Sequence, residues 1–133
     1  MAKGRPAPGT VEEWLARAGG DLALAGTRLP DGGFYEDLCF HAHQAAEKAI
    51  KAVYIHNHWL FEYTHDLEEL LTGLKVNGLA IPERIQAALG LTTYAYLTRY
   101  PGLTEPVSEA DYRVAMEQAT TVMRWTEGIT GRR

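Results

Sequence analysis

Residues 40–71 read FHAHQAAEKAIKAVYIHNHWLFEYTHDLEELL and carry the strongest indication of the fold. The first part of this stretch is rich in alanine and charged side chains, and its apolar residues recur at helical spacing. An aromatic loop at residues 57–63 follows. Thr64 is then expected to cap a third helix whose first turns are acidic, where the helix dipole favours negative charge. The stretch therefore predicts two consecutive helices joined by an aromatic loop.

The two N-terminal helices carry clear local signals. Thr10 and Glu13 form a T-x-x-E capping box at the start of helix one, and helically spaced apolar residues follow. Helix two is predicted to begin near Phe34 and to end at Ile55 or His56. It carries apolar groups on more than one face, which indicates burial on more than one side, against its own bundle and against a partner subunit.

The C-terminal half predicts two more helices. Pro82 is well placed in the first turn of helix four, which is expected to continue to about Thr98. Pro101 disfavours helical geometry at the residue before it, so this helix should end there. Ser108 is expected to cap helix five, which should reach about Glu127. Because no segment has the pattern of paired strands, the sequence predicts an all-α fold, a five-helix up-and-down antiparallel bundle.

Length and composition indicate one globular domain. The 133 residues suffice for a single core. We expect a flexible leader at residues 1–9, the bundle at residues 10–129 and a basic tail at residues 130–133. No apolar run approaches the roughly 20 residues that span a bilayer, and the N-terminus lacks a signal-peptide pattern. The single cysteine cannot form an internal disulfide, so a cytoplasmic protein is expected.

The charge distribution argues against a general nucleic-acid binder. Four of the 13 basic residues lie in the two tails, which leaves nine against 17 acidic residues in the body of the chain. A duplex-binding surface needs a basic stripe, since neutralising phosphates supplies much of the affinity. Any contact with a nucleotide or RNA is therefore expected in a local pocket.

Helix two carries the first set of candidate site residues. His43, Glu47 and Lys51 are spaced by four and share one helical face, and Lys48 lies on a neighbouring polar stripe. Glu47 and Lys51 form either a solvated ion pair or part of a polar cluster that faces a dimer cleft. His43 and Glu47 have the spacing of a metal-chelating pair, but no third ligand is evident, so neither a metal nor a cofactor is predicted.

Two other segments carry further candidates. Asp66 is a helix-start acid and His65 its exposed neighbour, or the two take part in general acid–base chemistry. Tyr96, Arg99 and Tyr100 are expected on one face at the end of helix four. Arg99 either stabilises the negative end of the helix dipole or binds a phosphate while the tyrosines stack on a base. The sequence has no phosphate-loop, dinucleotide-binding or nucleophile-elbow motif.

The sequence resembles the HEPN domain family over about residues 11–128, in four segments. The opening helix is similar in its residues Trp14, Ala18, Asp21, Leu22 and Ala25. The run FHAHQAAEKAIKA at residues 40–52 resembles the family's A-x-Q-A-A-E-K-A-L-K-A helix. THDL at residues 64–67 and TRYP at residues 98–101 resemble its T-H-D-L and R-Y-P motifs.

This resemblance implies a homodimeric five-helix bundle, often encoded beside a small nucleotidyltransferase as a toxin–antitoxin-like pair. Many members are metal-independent endoribonucleases with an R-x(4–6)-H motif. Arg99 is the candidate catalytic arginine here, but Thr104, Glu105 and Pro106 stand where the histidine is expected. The resemblance therefore favours a non-enzymatic module that binds a nucleotide or a partner. The alternatives are a divergent endoribonuclease that uses Arg99 and a structural helical adaptor. The predicted ligand-binding residues are Arg99, Tyr100, Tyr96, Glu47, Lys48, Lys51, His43, His65 and Asp66.

Overall fold

The computed structural model describes residues 5–132 apart from positions 97 and 99. In this part of the chain the structure has five helices and no strand. They are α1 (Val11–Ala25), α2 (Tyr35–His56), α3 (Leu67–Val76), α4 (Glu83–Gln86, continued by a 3-10 segment, Ala87–Ala95) and α5 (Glu109–Thr130). The prediction of an all-α antiparallel bundle is confirmed.

The predicted caps of α1 and α5 at Thr10 and Ser108 are confirmed, but the capping box predicted at Thr10 is incomplete, because Glu13 does not bond back to the N-cap residue. The hydroxyl of Thr10 accepts a hydrogen bond from the backbone N–H of Glu13 (3.2 Å), while the Glu13 carboxylate accepts from the backbone of Gly9 (2.8 Å). Ser108 and Asp111 form a complete capping box at the start of α5. α5 extends beyond the expected end near Glu127, and a left-handed glycine closes it after Thr130.

The start of α3 corrects the sequence prediction. Thr64 does not cap this helix, since its hydroxyl accepts from the backbone N–H of Asp66 (3.0 Å) in the turn before it. The cap is Asp66, whose carboxylate accepts from the backbone N–H of Glu68 (2.9 Å). In a T-H-D sequence both side chains can accept such bonds, and the aspartate lies at the position that meets the free helical N–H groups.

The fourth helix is also different from the prediction. Only Glu83–Gln86 is α-helical, Pro82 occupies the N-cap, and the chain continues as a 3-10 helix that ends at Ala95. Tyr96 is not in helical geometry. The prediction that Tyr96 begins a helical face that continues to Tyr100 is therefore wrong at its first residue. The region contains glycine and β-branched threonine, both weak helix formers. A threonine hydroxyl here (Thr92) also accepts from the first backbone N–H of α3 (3.1 Å).

The core is organised around α2, which packs against α1, α3, the 3-10 segment and α5. Fully buried alanines on α2 allow close approach of its neighbours: Ala42, Ala45, Ala46, Ala49 and Ala52. The prediction that α2 is buried on more than one side is confirmed for its own bundle. Cys39 is also buried, and desolvation raises the pKa of its thiol to about 12. In the described part of the chain, no helix combines the length and apolar character needed to cross a membrane.

The aromatic loop between α2 and α3 is held by packing on its inner side. Phe61 makes edge contacts with Trp14 of α1 and Tyr54 of α2, with ring centroids 5.7 Å apart in each pair. His58 adopts a left-handed conformation (φ 58°), which turns the chain back after the end of α2. The loop therefore brings its last residues against the middle of α2.

Candidate functional site

The candidate site is centred on the carboxylate of Glu47, near the middle of α2. Its side chain is only 5% exposed. Oε2 accepts a hydrogen bond from Nζ of Lys51 (2.8 Å), and Oε1 accepts one from Nδ1 of His65 (2.8 Å). One buried carboxylate thus joins an ammonium on its own helix to an imidazole at the start of α3.

Lys51 is enclosed as well, with a side chain 7% exposed. Its Nζ lies 5.3 Å from the centroid of the Phe61 ring, within the range of a cation–π contact. Of the two sequence alternatives, the solvated ion pair is therefore wrong, and the structure contains a buried polar cluster. Because both charges are desolvated, each depends on the other for compensation.

His65 is the exposed member of the cluster, with 58% of its side chain accessible. Its Nδ1 contacts Glu47, and its ring lies edge-on to Tyr96, with centroids 6.2 Å apart. Because a carboxylate only accepts hydrogen bonds, Nδ1 carries the proton. Within the described residues, Nε2 of His65 makes no hydrogen bond to another side chain.

His43 occupies a different environment from His65. It is fully buried, and its Nε2 lies 2.8 Å from the backbone carbonyl oxygen of His65. Its Nδ1 lies 3.2 Å from the side-chain amide of Gln44 and 4.0 Å from Oε1 of Glu47. Desolvation lowers the pKa of His43, so the neutral ring donates Nε2–H to the carbonyl. His43 thereby fixes the backbone that carries His65.

Asp66 and Lys48 are placed away from this cluster. Asp66 is engaged as the cap of α3. Lys48 donates from Nζ to Oδ2 of Asp21 on α1 (2.5 Å), and Oδ1 of the same aspartate lies 2.9 Å from Nδ1 of His41. The structure therefore contains a second carboxylate shared between a lysine and a histidine.

Asp21 was missed as a candidate site residue. The available signal in the sequence was an acidic residue on the same helical face as the apolar residues Ala18 and Ala25. In the structure Asp21 is buried on this face of α1. Its partners are 20 and 27 residues away in sequence, so helical spacing does not reveal them.

The structure gives no contact to the Glu47 cluster for the remaining predicted residues that it describes. Tyr100 is exposed, and Arg99 lies outside the described residues. In the region that the structure describes, no three His, Cys, Asp or Glu side chains are grouped so as to hold a metal ion.

The cluster can orient an imidazole at the surface. A charged or neutral His65 ring is held through Nδ1, so its opposite edge points away from a buried carboxylate–ammonium pair. In the protonated state this edge donates to an anion, and in the neutral state it accepts a proton. Tyr96 beside it supplies an exposed aromatic ring.

Comparison with known proteins identifies the family. The model of the HEPN domain matches residues 11–129, and the chain therefore belongs to the HEPN domain family. Among solved structures, it is similar to the crystal structure of ST0689, an archaeal HEPN homologue, with 27% sequence identity and a TM-score of 0.71. The match covers 90% of this chain and 96% of that one. No curated protein matches the sequence significantly.

Proposed function

We propose that this HEPN-domain protein is a homodimeric module that binds a nucleotide-like ligand and pairs with a small nucleotidyltransferase, as one half of a toxin–antitoxin-like pair. The observation that carries the proposal is the exposed imidazole of His65, held at 2.8 Å by the buried Glu47 carboxylate. Lys51 holds that carboxylate from its other oxygen (2.8 Å). Such an arrangement costs little ordering entropy when a ligand binds.

The chemistry of the site suits a nucleotide. A protonated His65 donates from Nε2 to a phosphate, and Tyr96 beside it offers a ring on which a base can stack. Arg99 and Tyr100 follow Tyr96 in the sequence, and we assign them a phosphate and a stacking contact in the same site. A small local site of this kind is compatible with the net charge of −4.

The partner part of the proposal is supported by membership of the HEPN family, whose domains commonly dimerise. We propose in addition that the partner is a nucleotidyltransferase and that the two proteins act as toxin and antitoxin. We place the pair in the cytoplasm, since the single cysteine of this chain forms no disulfide and is buried as a thiol.

Calorimetric titration of the purified protein with AMP and ATP tests the nucleotide site. We expect binding that His65→Ala weakens at least about tenfold. The matched control is His58→Asn, which removes an exposed histidine from a left-handed position that asparagine tolerates. His58→Asn should bind like the wild type. Equal affinity in wild type and His65→Ala would remove His65 from the site.

A second candidate function is a divergent metal-independent endoribonuclease. The specific observation is that His65 and Glu47 have the geometry of a general base and the group that orients it. In this mechanism neutral His65 takes the proton of the RNA 2′-hydroxyl. The 2′-oxygen bonds to the adjacent phosphorus, the bond from that phosphorus to the 5′-oxygen of the next nucleotide breaks, and water protonates the leaving 5′-oxygen. Arg99 stabilises the negative charge on the phosphate during this exchange.

RNA cleavage in the presence of EDTA distinguishes the two functions. The endoribonuclease predicts cleavage that both His65→Ala and Arg99→Ala abolish and that His58→Asn preserves. Nucleotide binding without cleavage supports the binding module. Absence of both activities leaves a structural adaptor, for which the cluster serves only folding.

A further inference from the structure

A groove outside the His65 site lies between the aromatic loop and α3. Its volume is about 670 Å³, within the range of ligand-binding clefts. Its apolar lining includes Leu60 and Phe61 from the loop, and Leu70 and Val76 from α3. Of these four residues, Phe61 also contacts the cluster around Glu47, because its ring lies 5.3 Å from Nζ of Lys51.

Two apolar side chains of this groove lie open to solvent. Leu60 is 97% exposed and Val76 is 82% exposed. Single exposed apolar residues are ordinary on a protein surface, but two that line one concave site form a surface suited to an apolar partner. Burying each of them on association is favourable, because apolar area leaves water.

The rim of the groove is acidic. Among the described residues, the lining contains Glu62, Glu68 and Glu69 and no lysine, arginine or histidine. An RNA strand would be repelled by such a rim. A second copy of this chain seated symmetrically would place these glutamates against their own equivalents, which is also unfavourable. Charge complementarity therefore selects a partner that carries basic residues next to apolar ones.

The groove is preformed on the inner side. Phe61 is fixed by its edge contacts with Trp14 and Tyr54. The hydroxyl of Tyr54 donates to the backbone carbonyl of Leu70, which ties the floor of the groove to α3. A rigid apolar floor lowers the ordering cost of binding.

We propose that the groove between the aromatic loop and α3 docks a basic amphipathic helix of a partner protein. Leucine-like side chains of that helix contact Leu60 and Val76, and its lysine or arginine side chains pair with the glutamates of the rim. The proposal rests on the partner part of the proposed function, to which it adds a surface and a charge class. It does not depend on nucleotide binding at His65.

The first test uses a defined peptide of about 15 residues, an amphipathic helix of leucine and lysine, titrated against the isotope-labelled full chain. We expect chemical-shift changes centred on residues 60–77. A peptide of leucine and glutamate with the same pattern should not bind. Shifts that avoid residues 60–77, or equal binding of both peptides, would overturn the proposal.

Variants of the groove sharpen the test. The double variant Glu68→Lys with Glu69→Lys should bind the basic peptide at least about tenfold more weakly than the wild type. The double variant Leu60→Ser with Val76→Ser should lose affinity to the same extent. The matched control is Glu83→Lys with Glu117→Lys, which makes the same change of charge on exposed positions outside the groove. The control should retain the wild-type affinity, and circular dichroism should show that all variants are folded. Equal loss in groove variants and control would contradict a specific site.

The two proposals fail separately. Loss of peptide binding with intact AMP binding removes the docking groove alone, whereas loss of AMP binding with intact peptide binding removes the His65 site alone. Groove variants that change the oligomeric state, in a protein that ignores the basic peptide, would assign the groove to a self-contact and reject the basic partner.

Discussion

Nδ1 of His65 lies 2.8 Å from Oε1 of Glu47, although 18 residues separate the two in sequence. The carboxylate is buried in α2 and the imidazole is at the surface, so this bond connects the interior of the bundle to solvent. Lys51 on the other carboxylate oxygen balances the buried charge. The geometry explains how a mostly acidic protein presents one oriented histidine.

Removing the ammonium from this arrangement should destabilise the protein strongly. Lys51→Met leaves the Glu47 carboxylate buried without its ammonium partner, and we expect a loss of about 3–5 kcal/mol in the free energy of unfolding. Urea denaturation measures it. Arg113→Met is the matched control, because its ion pair with Glu109 is exposed and should change stability by less than about 1 kcal/mol. Similar losses in the two variants would contradict the buried pair.

Acidification should weaken the fold through His43. Burial lowers the pKa of His43 below its ordinary 6.5, so the unfolded chain takes up this proton at higher pH than the folded chain does. The contribution is complete above about pH 6.5 and is lost as the pH falls from there towards the depressed folded pKa. The slope attributable to this one group is at most about 1.4 kcal/mol per pH unit.

Comparison with His43→Gln isolates that contribution. Glutamine cannot take up the proton, so the stability of the variant should depend less on pH between about 5 and 6.5. Denaturation midpoints across this range, for wild type and variant, provide the measurement. Parallel curves would show that His43 is not the responsible group. His58→Asn, which alters an exposed histidine, should leave the wild-type slope in place.

Gly73 should tolerate no side chain. A Cβ at this position would overlap the hydroxyl oxygen of Tyr54, which donates to the backbone of Leu70 beneath the groove. Gly73→Ala should therefore destabilise the protein by about 1–3 kcal/mol. A Cβ at Gly128 on α5 meets no atom of the described residues within 4 Å, so Gly128→Ala should stabilise the protein by up to about 1 kcal/mol.

A double-mutant cycle identifies the cause of the Gly73 effect. Tyr54→Phe removes the hydroxyl oxygen, so Gly73→Ala should cost less in that background than in the wild type. Thermal unfolding of the four proteins is sufficient. An additive result would place the strain at an atom other than the Tyr54 hydroxyl oxygen.

The cap of α3 can be tested by two single substitutions. Asp66→Ala removes the side chain that accepts from Glu68 and should cost about 0.5–2 kcal/mol. Thr64→Ala removes only the bond in the preceding turn and should cost less. Chemical denaturation ranks the two variants. The reverse order would restore Thr64 as the cap.

Local patterns predicted most of the helical architecture. The capping signals at Thr10 and Ser108 depend on residues three positions apart, and the apolar stripe of α2 depends on helical spacing alone. The 3-10 segment Ala87–Ala95 escaped prediction, because apolar spacing over nine residues separates 3-10 from α-helical geometry poorly. For the same reason, the sequence did not predict that helical geometry ends before Tyr96.

The site was only partly accessible from sequence. Spacing placed Glu47 and Lys51 together, but their burial depends on α1, α3 and the loop packing around α2. The bond from Glu47 to His65 joins segments whose relative position arises only in the folded chain. The hydrogen bond that Lys48 donates to Asp21 also joins segments that meet only in the folded chain.

Nitrogen NMR of the imidazole of His65 during titration with AMP shows whether this ring contacts the ligand. We expect Nδ1 to be protonated throughout, held by Glu47, and the Nε2 signal of His65 to shift on ligand binding while that of His58 stays in place. An unchanged His65 signal at saturating AMP, or an equal shift at His58, would contradict the claim that the oriented imidazole is the ligand-binding element of this protein.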